Sequence, residues 1–184
     1  MKTWFQASIA TTALLAGFAL GTPSATAATP TGSTEPGATA SFEGKRLDLK
    51  RQGWGQAQSC VVFSRARTDC FRSNEEANRA IGYDRTKEVR QGLTTTADFD
   101  CARDWLCLFE HAEGRGRRLI FNEDVWHNLA DWDFANKTSS WRNRMFGWDD
   151  GILGDGKGHV LILESGARAA YMGGWNDAAV HVHG

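Results

Sequence analysis

Apolar residues along this chain come in short runs broken by glycine and charge rather than at helical spacing, and the clearest case begins at Trp105. Trp105-Leu106-Cys107-Leu108-Phe109-Glu110 is followed by His-Ala-Glu-Gly-Arg-Gly and then by Arg117-Arg118-Leu119-Ile120-Phe121. Two such runs joined by glycines, where positive φ costs least, predict a hairpin with strands at 105–110 and 117–121. His159-Val-Leu-Ile-Leu-Glu164 is a second nearly continuous apolar run, with a turn at Ser165-Gly166 and a return over Arg168 to Met172. The loop Gly173 to Val180 then corresponds to the earlier loop around Asn136 to Ser140. Residues 145–184 therefore read as a divergent repeat of the stretch before them, with a period of about 40 residues, as in a two-motif Greek-key sandwich.

Upstream the pattern is weaker. Alternation in Lys45 to Lys50 and in Cys60-Val61-Val62-Phe63 predicts short strands, with Cys70-Phe71 returning from a turn at 65–68. Ser73 and Glu76 have capping-box spacing, so a short helix opens there and ends at Gly82. Residues 83–100 are polar and without period, and read as a linker or an irregular strand. The expected fold class is mainly β: a Greek-key sandwich over 98–184, preceded by a small α+β segment over 42–97.

Composition adds the compartment. Lys2, the apolar run Ile9 to Leu20 and the small residues Ala25-Thr26-Ala27 have the order of a secretory signal, residues 1–27. Residues 28–41 are rich in Thr, Ala, Gly and Pro, lack large apolar groups and read as a disordered leader. The prolines Pro23, Pro30 and Pro36 all precede the predicted strands, which keep their amide donors. A formal net charge of −1 gives no electrostatic footprint for nucleic acid or anionic lipid. The expected product is secreted and extracellular, with no membrane contact once mature. In such a compartment four cysteines pair. Cys60–Cys70 and Cys101–Cys107 are the expected pairs because each brackets a short segment; links crossing between the two segments stay open.

The motifs Cys101-x5-Cys107-Leu-Phe-Glu, Gly114-x-Gly-Arg-Arg-Leu, Trp126-x-Asn-Leu-x-Asp-Trp-x-Phe and Lys137-Thr-Ser-Ser-Trp-Arg-Asn together resemble the bacterial secreted metalloproteinase-inhibitor family, whose fold is that of the βγ-crystallins. The resemblance is strongest over 101–144, and its cysteine pattern agrees with a Cys101–Cys107 link. It is degraded over 145–184 and only suggestive over 48–78, and within its strongest part Gly114 stands where the Greek-key signature begun by Phe109 and closed by Gly116 has a second aromatic. What the resemblance implies is a proteinaceous inhibitor of an extracellular zinc metalloprotease, not an enzyme, that presents a rigid disulfide-held loop. Arg103, Asp104 and Trp105 are the candidate inhibitory residues, and the turn Arg65-Ala66-Arg67 is a second candidate. The alternative is an extracellular structural or calcium-binding module of the same fold without inhibitory activity.

No cofactor is required by this reading, and calcium is the one candidate ion. In calcium-binding βγ-crystallins, two Asn/Asp residues and two hydroxyls recur in each of two loops that share their ions. Here Asn136 and Ser139 survive in the first loop and Asn176 and Asp177 in the second, while Ala135, Val180 and His181 replace the rest. The competing reading is that these side chains merely brace their loops by hydrogen bonds to the backbone. His181 and His183 lie two apart on a predicted strand, and Arg115, Arg117 and Arg118 read as a solvated hairpin rim. Trp126, Trp132, Trp141, Trp148 and Trp175 are expected mostly in the core. No nucleophile elbow and no HExxH pair accompany them.

Overall fold

The computed structural model describes residues 37–184; the expected signal sequence, and the expected leader as far as residue 36, lie outside them. Twelve strands are described. In chain order, β1 is Ala40–Phe42, β2 Lys45–Leu47, β3 Ser59–Ser64, β4 Arg67–Phe71, β5 Leu106–His111 and β6 Arg115–Phe121. They continue with β7 Trp126–Asn128, β8 Ser140–Asn143, β9 Gly151–Gly154, β10 Val160–Leu163, β11 Arg168–Ala169 and β12 His181–His183. Helices α1 (Leu49–Gln52), α2 (Asn74–Ala80) and α3 (Arg85–Arg90) all precede β5.

The strands form two sheets, one in the order β11-β8-β5-β6-β3-β4-β1-β2 and one in the order β10-β9-β12-β7. In each repeat the fourth strand lies beside the first and the first beside the second: β8-β5-β6 in one, β12-β9-β10 in the other. The third strands are exchanged. β7 of the first repeat closes the sheet of the second, and β11 of the second closes the sheet of the first. This is a mainly β, Greek-key sandwich of two intertwined repeats, as expected, but the second hairpin is β9–β10, and the return expected over Arg168 to Met172 pairs with β8 instead of β10. His181 and His183 lie on a strand paired on both sides, so they are not at a sheet edge.

The upstream segment is part of that sheet rather than a preface to it. β3 pairs in parallel with β6, Cys60 opposite Leu119, and carries β4, β1 and β2 outward. The reason lies in β5 and β6. Leu106, Leu108, Leu119 and Phe121 face the core between the sheets, while Cys107, Phe109 and Ile120 face a second apolar cluster on the outside. A strand apolar on both faces needs cover on both. Val61 on β3 extends this outer face, and its cover comes from Ala77 on α2 and from Phe99, Cys101, Ala102 and Trp105.

Three expectations are corrected here. Residues 37–41 are not part of a disordered leader, because Ala38 and Ala40 are buried and β1 pairs with β4. Residues 83–100 contain α3, whose cap Asp84 accepts from Lys87 N at 2.9 Å; its polar sequence escaped the periodicity because it buries no side chain. Arg118 is not on a rim. Its guanidinium is wholly buried, donating to Ser59 Oγ (2.9 Å), Asn78 Oδ1 (2.9 Å) and Asp100 O (2.5 Å). The capping-box reading holds in part: Ser73 Oγ accepts from Glu76 N (3.1 Å), but the Glu76 carboxylate takes Arg72 N.

The missing aromatic at Gly114 also has a structural answer. Gly114 has φ +70°, and a Cβ there would lie 2.8 Å from Cγ of Phe99. Phe99 sits edge-on to Phe109, with centroids 5.6 Å apart at 78°. An upstream ring thus occupies the place beside the hairpin that the family fills from within it.

Candidate functional site

Two loops lie side by side at the end of the sheet where β5 begins and β8 ends, since Leu106 pairs with Asn143. The first runs from Cys101 to Cys107 and is closed by their disulfide; the other disulfide joins Cys60 to Cys70, directly opposite one another on β3 and β4. Asp104 turns the first loop at φ 64°. The second runs from Asn143 to Gly151. Asp104 N donates to Arg144 O (2.9 Å) and Arg144 N to Trp105 O (3.0 Å), so the loops are bonded backbone to backbone.

The side chain of Arg144 strengthens the junction. It donates to Cys101 O (2.8 Å) and Tyr83 Oη (3.1 Å) and pairs with Glu88 of α3 at 2.8 Å. Burial pushes the Arg144 value down, but the Glu88 carboxylate outweighs it and raises it above the ordinary guanidinium range. Burial likewise raises the Tyr83 phenol. Both groups stay in their ordinary charge states at neutral pH.

Of the three candidate inhibitory residues, Arg103 and Asp104 are exposed while Trp105 faces inward, edge-on to Phe63 at 5.9 Å. The Arg65-Ala66-Arg67 turn is committed elsewhere: Arg65 pairs with Asp131 (2.7 Å), and Arg67 stacks on Phe63 at 4.3 Å.

Sequence reasoning missed the second loop. Phe146 is 85% exposed and Trp148 100%. Of the five tryptophans assigned mostly to the core, Trp132 and Trp141 are buried, Trp175 is half-buried, and Trp126 and Trp148 are exposed. The signal was available: Phe-Gly-Trp-Asp-Asp has turn composition, and Gly147 does adopt φ 75°.

The calcium candidates lie at the other end of β5, where Phe109 pairs with Ser140. The two loops do meet. Asn136 N donates to Ala179 O (2.8 Å), Asp177 N to Thr138 O (3.0 Å), and both Asn136 and Asp177 are left-handed. Ser139 Oγ donates to Asp177 Oδ1 (3.1 Å) and Asn176 Nδ2 to Asp177 Oδ2 (2.7 Å). The Thr138 hydroxyl is buried with no hydrogen-bond partner. Among the described residues no three His, Cys, Asp or Glu side chains converge as metal ligands.

A family model matches most of the stretch that builds the two fastened loops. Residues 94–148 match the model of peptidase inhibitor family I36. The I36 stretch spans the Cys101–Cys107 loop, β5 to β8 and the exposed aromatics, and a family of inhibitors is not catalytic. No curated protein matches the chain. Among solved structures, the N-terminal domain of protein S is similar over 43% of this chain and 92% of its own, at 15% identity and a TM-score of 0.37, a likeness too slight to argue from. No helix of the described residues is long and apolar enough to cross a membrane.

Proposed function

We propose that this protein is an exported inhibitor of an extracellular zinc metalloprotease, and that it binds through the surface made by the Cys101–Cys107 loop and the adjoining 143–151 loop. The observation that carries the reading is that the I36 match falls on the stretch forming that surface. The physics agrees. A loop closed by a disulfide, turned at Asp104 and bonded to its neighbour has little conformational entropy left to lose on docking. Arg103 and Asp104 supply charge at its exposed tip.

Calcium is a second ligand that one observation favours: the unpartnered Thr138 hydroxyl beside the Ser139–Asp177 contact. Calcium takes six to eight oxygens. A single carboxylate whose two oxygens already accept from Ser139 and Asn176 would bind it weakly. Such binding would brace the far end of β5 and would not touch the inhibitory surface.

Inhibition is tested by titrating the purified protein against a panel of secreted proteases. Stoichiometric inhibition of a thermolysin-like zinc protease, sparing serine proteases, is the expected result. No inhibition across the panel would instead support the structural module.

A further inference from the structure

We infer that Phe146 and Trp148 are the side chains this protein inserts into its target, an endopeptidase whose substrate cleft has apolar subsites flanking the catalytic centre. The inference rests on the inhibitor reading above and names its contact residues. They are not the disulfide-loop residues that the sequence singled out.

An aromatic side chain left wholly in water is informative, because burial is what aromatic area ordinarily gains from folding. Here two occur within three residues, at 85% and 100% exposure, on a stretch held in place from both ends. Asn143, itself buried, is the principal fastening. Its Nδ2 donates to Asp149 O (3.0 Å) and Leu163 O (2.8 Å), and its Oδ1 accepts from Met145 N (2.9 Å). Ser165 Oγ donates to Met145 O (2.8 Å), and Asp150 Oδ1 accepts from Ser165 N (2.7 Å). Between these fixed points Gly147 and Trp148 close a tight turn, with Asp150 N donating to Trp148 O at 3.1 Å. The backbone is thus set before any partner arrives, while the two rings project from it.

The surroundings fit an anchor with a polar rim. Arg103, Asp104, Arg144 and Gly147 border a shallow depression of about 210 Å³ beside Phe146, and the exposed Asp149 and Asp150 follow Trp148. Two apolar rings inside a charged border are the pattern of an interface centre. The shape selects the partner's chemistry. A projecting turn needs a concave acceptor, which a peptidase cleft is. A second copy is a poorer acceptor: a depression of about 510 Å³ on this chain has Lys50, Arg65, Glu123, His127 and Asp131 among its walls beside Val125, Trp126 and Trp132, and a ring entering it would strip water from those charges. On this reading the Cys101–Cys107 disulfide acts behind the contact, steadying the Asp104 amide that holds Arg144.

The test measures inhibition constants of the full chain and of Phe146→Ala, Trp148→Ala and the double variant against a thermolysin-like zinc endopeptidase and a trypsin-like serine endopeptidase. Trp126→Ala, at a 52% exposed tryptophan elsewhere, is the control. Each single change is expected to weaken inhibition by roughly 30-fold and the pair by about a hundredfold or more, with melting temperature unchanged and Trp126→Ala behaving as the parent chain. If the parent inhibits and the double variant inhibits equally well, the assignment of these two residues fails while the inhibitor reading stands. If the parent inhibits neither enzyme nor a wider panel, both fail. Concentration-dependent dimerisation of the parent, lost in the double variant while inhibition persists, would show that the rings serve self-association and would overturn the inference.

Discussion

Arg118 is the residue whose environment contradicts its type most sharply. Burial drives its value down to about 10, with the Asp100 carboxylate only partly offsetting this, yet it remains charged at neutral pH and satisfies groups from three separate segments. Arg118→Ala would leave Ser59, Asn78 and the Asp100 carbonyl short of donors and open a void, so we expect a loss of about 3–5 kcal/mol. Arg118→Lys should recover little, because one ammonium cannot reproduce a planar fork. Urea unfolding of both variants checks this; a loss below about 1 kcal/mol would mean the site is worth no more than a surface pair. Gly114 is the complementary case. Gly114→Ala combines a left-handed backbone with a clash against Phe99 and should cost about 1–3 kcal/mol, with Phe99→Ala in the same chain relieving the clash while losing its packing on Phe109.

At the scale of elements, β5 separates two devices that the sequence listed together. At one end it begins from the disulfide loop, and at the other the Asn136 and Asp177 loops lock by reciprocal backbone bonds. Replacing Cys101 and Cys107 by Ser removes a short covalent loop, worth roughly 2–4 kcal/mol, and should weaken inhibition beyond what the fall in melting temperature explains. Inhibition constants measured well below the transition would separate the two effects, and unchanged inhibition would count against a preorganised surface. At the other end, Asp177→Ala should abolish whatever calcium-dependent rise in melting temperature the parent shows. Calorimetry finding two micromolar sites would contradict the poor oxygen set argued here. β7 adds a titrating group. Burial, reinforced by His183, holds the His127 imidazole below its ordinary value. As the pH falls through about 6.5 the unfolded chain takes up this proton before the folded one does. Stability is therefore complete above that pH and declines towards the depressed folded value. Melting curves at pH 7.5 and 5 should show the decline, and His127→Phe should flatten it.

At the scale of the whole molecule, the question is whether residues 98–184 are a domain. The Greek-key pair is topologically complete within them, and Phe99, Cys101, Ala102 and Trp105 of the outer cluster lie there too, but Val61 and Ala77 come from upstream. Expressed alone, that stretch should expose Ile120 and the edge of β6, bind an apolar dye and lose cooperative melting. A sharp transition at the parent's temperature would show that the upstream strands are dispensable. Acid adds a second phase to this stability. The Arg117 hydrogen bond lowers the Glu110 carboxyl, so its contribution is present above the unfolded value of 4.5 and lost as the pH falls through the folded one.

The chain by itself determined the features that depend on near neighbours. Paired apolar runs with a glycine turn specify a hairpin at 106–121, Ser73 caps a helix, and local cysteine spacing marks each disulfide, because each is decided within a few residues of contour. The period of about 40 residues was legible for the same reason, repeated. Only the tertiary structure decided which faces have partners. Arg118 is buried because β3 and α2 happen to cover that side of β6, and Phe99 replaces an absent aromatic because the chain returns past Gly114. Trp148 is exposed for the converse reason: Asn143 fastens its loop where none of the described residues lies over the indole. Burial is a property of what arrives from elsewhere in the sequence, and an indole or a guanidinium carries no local mark of it.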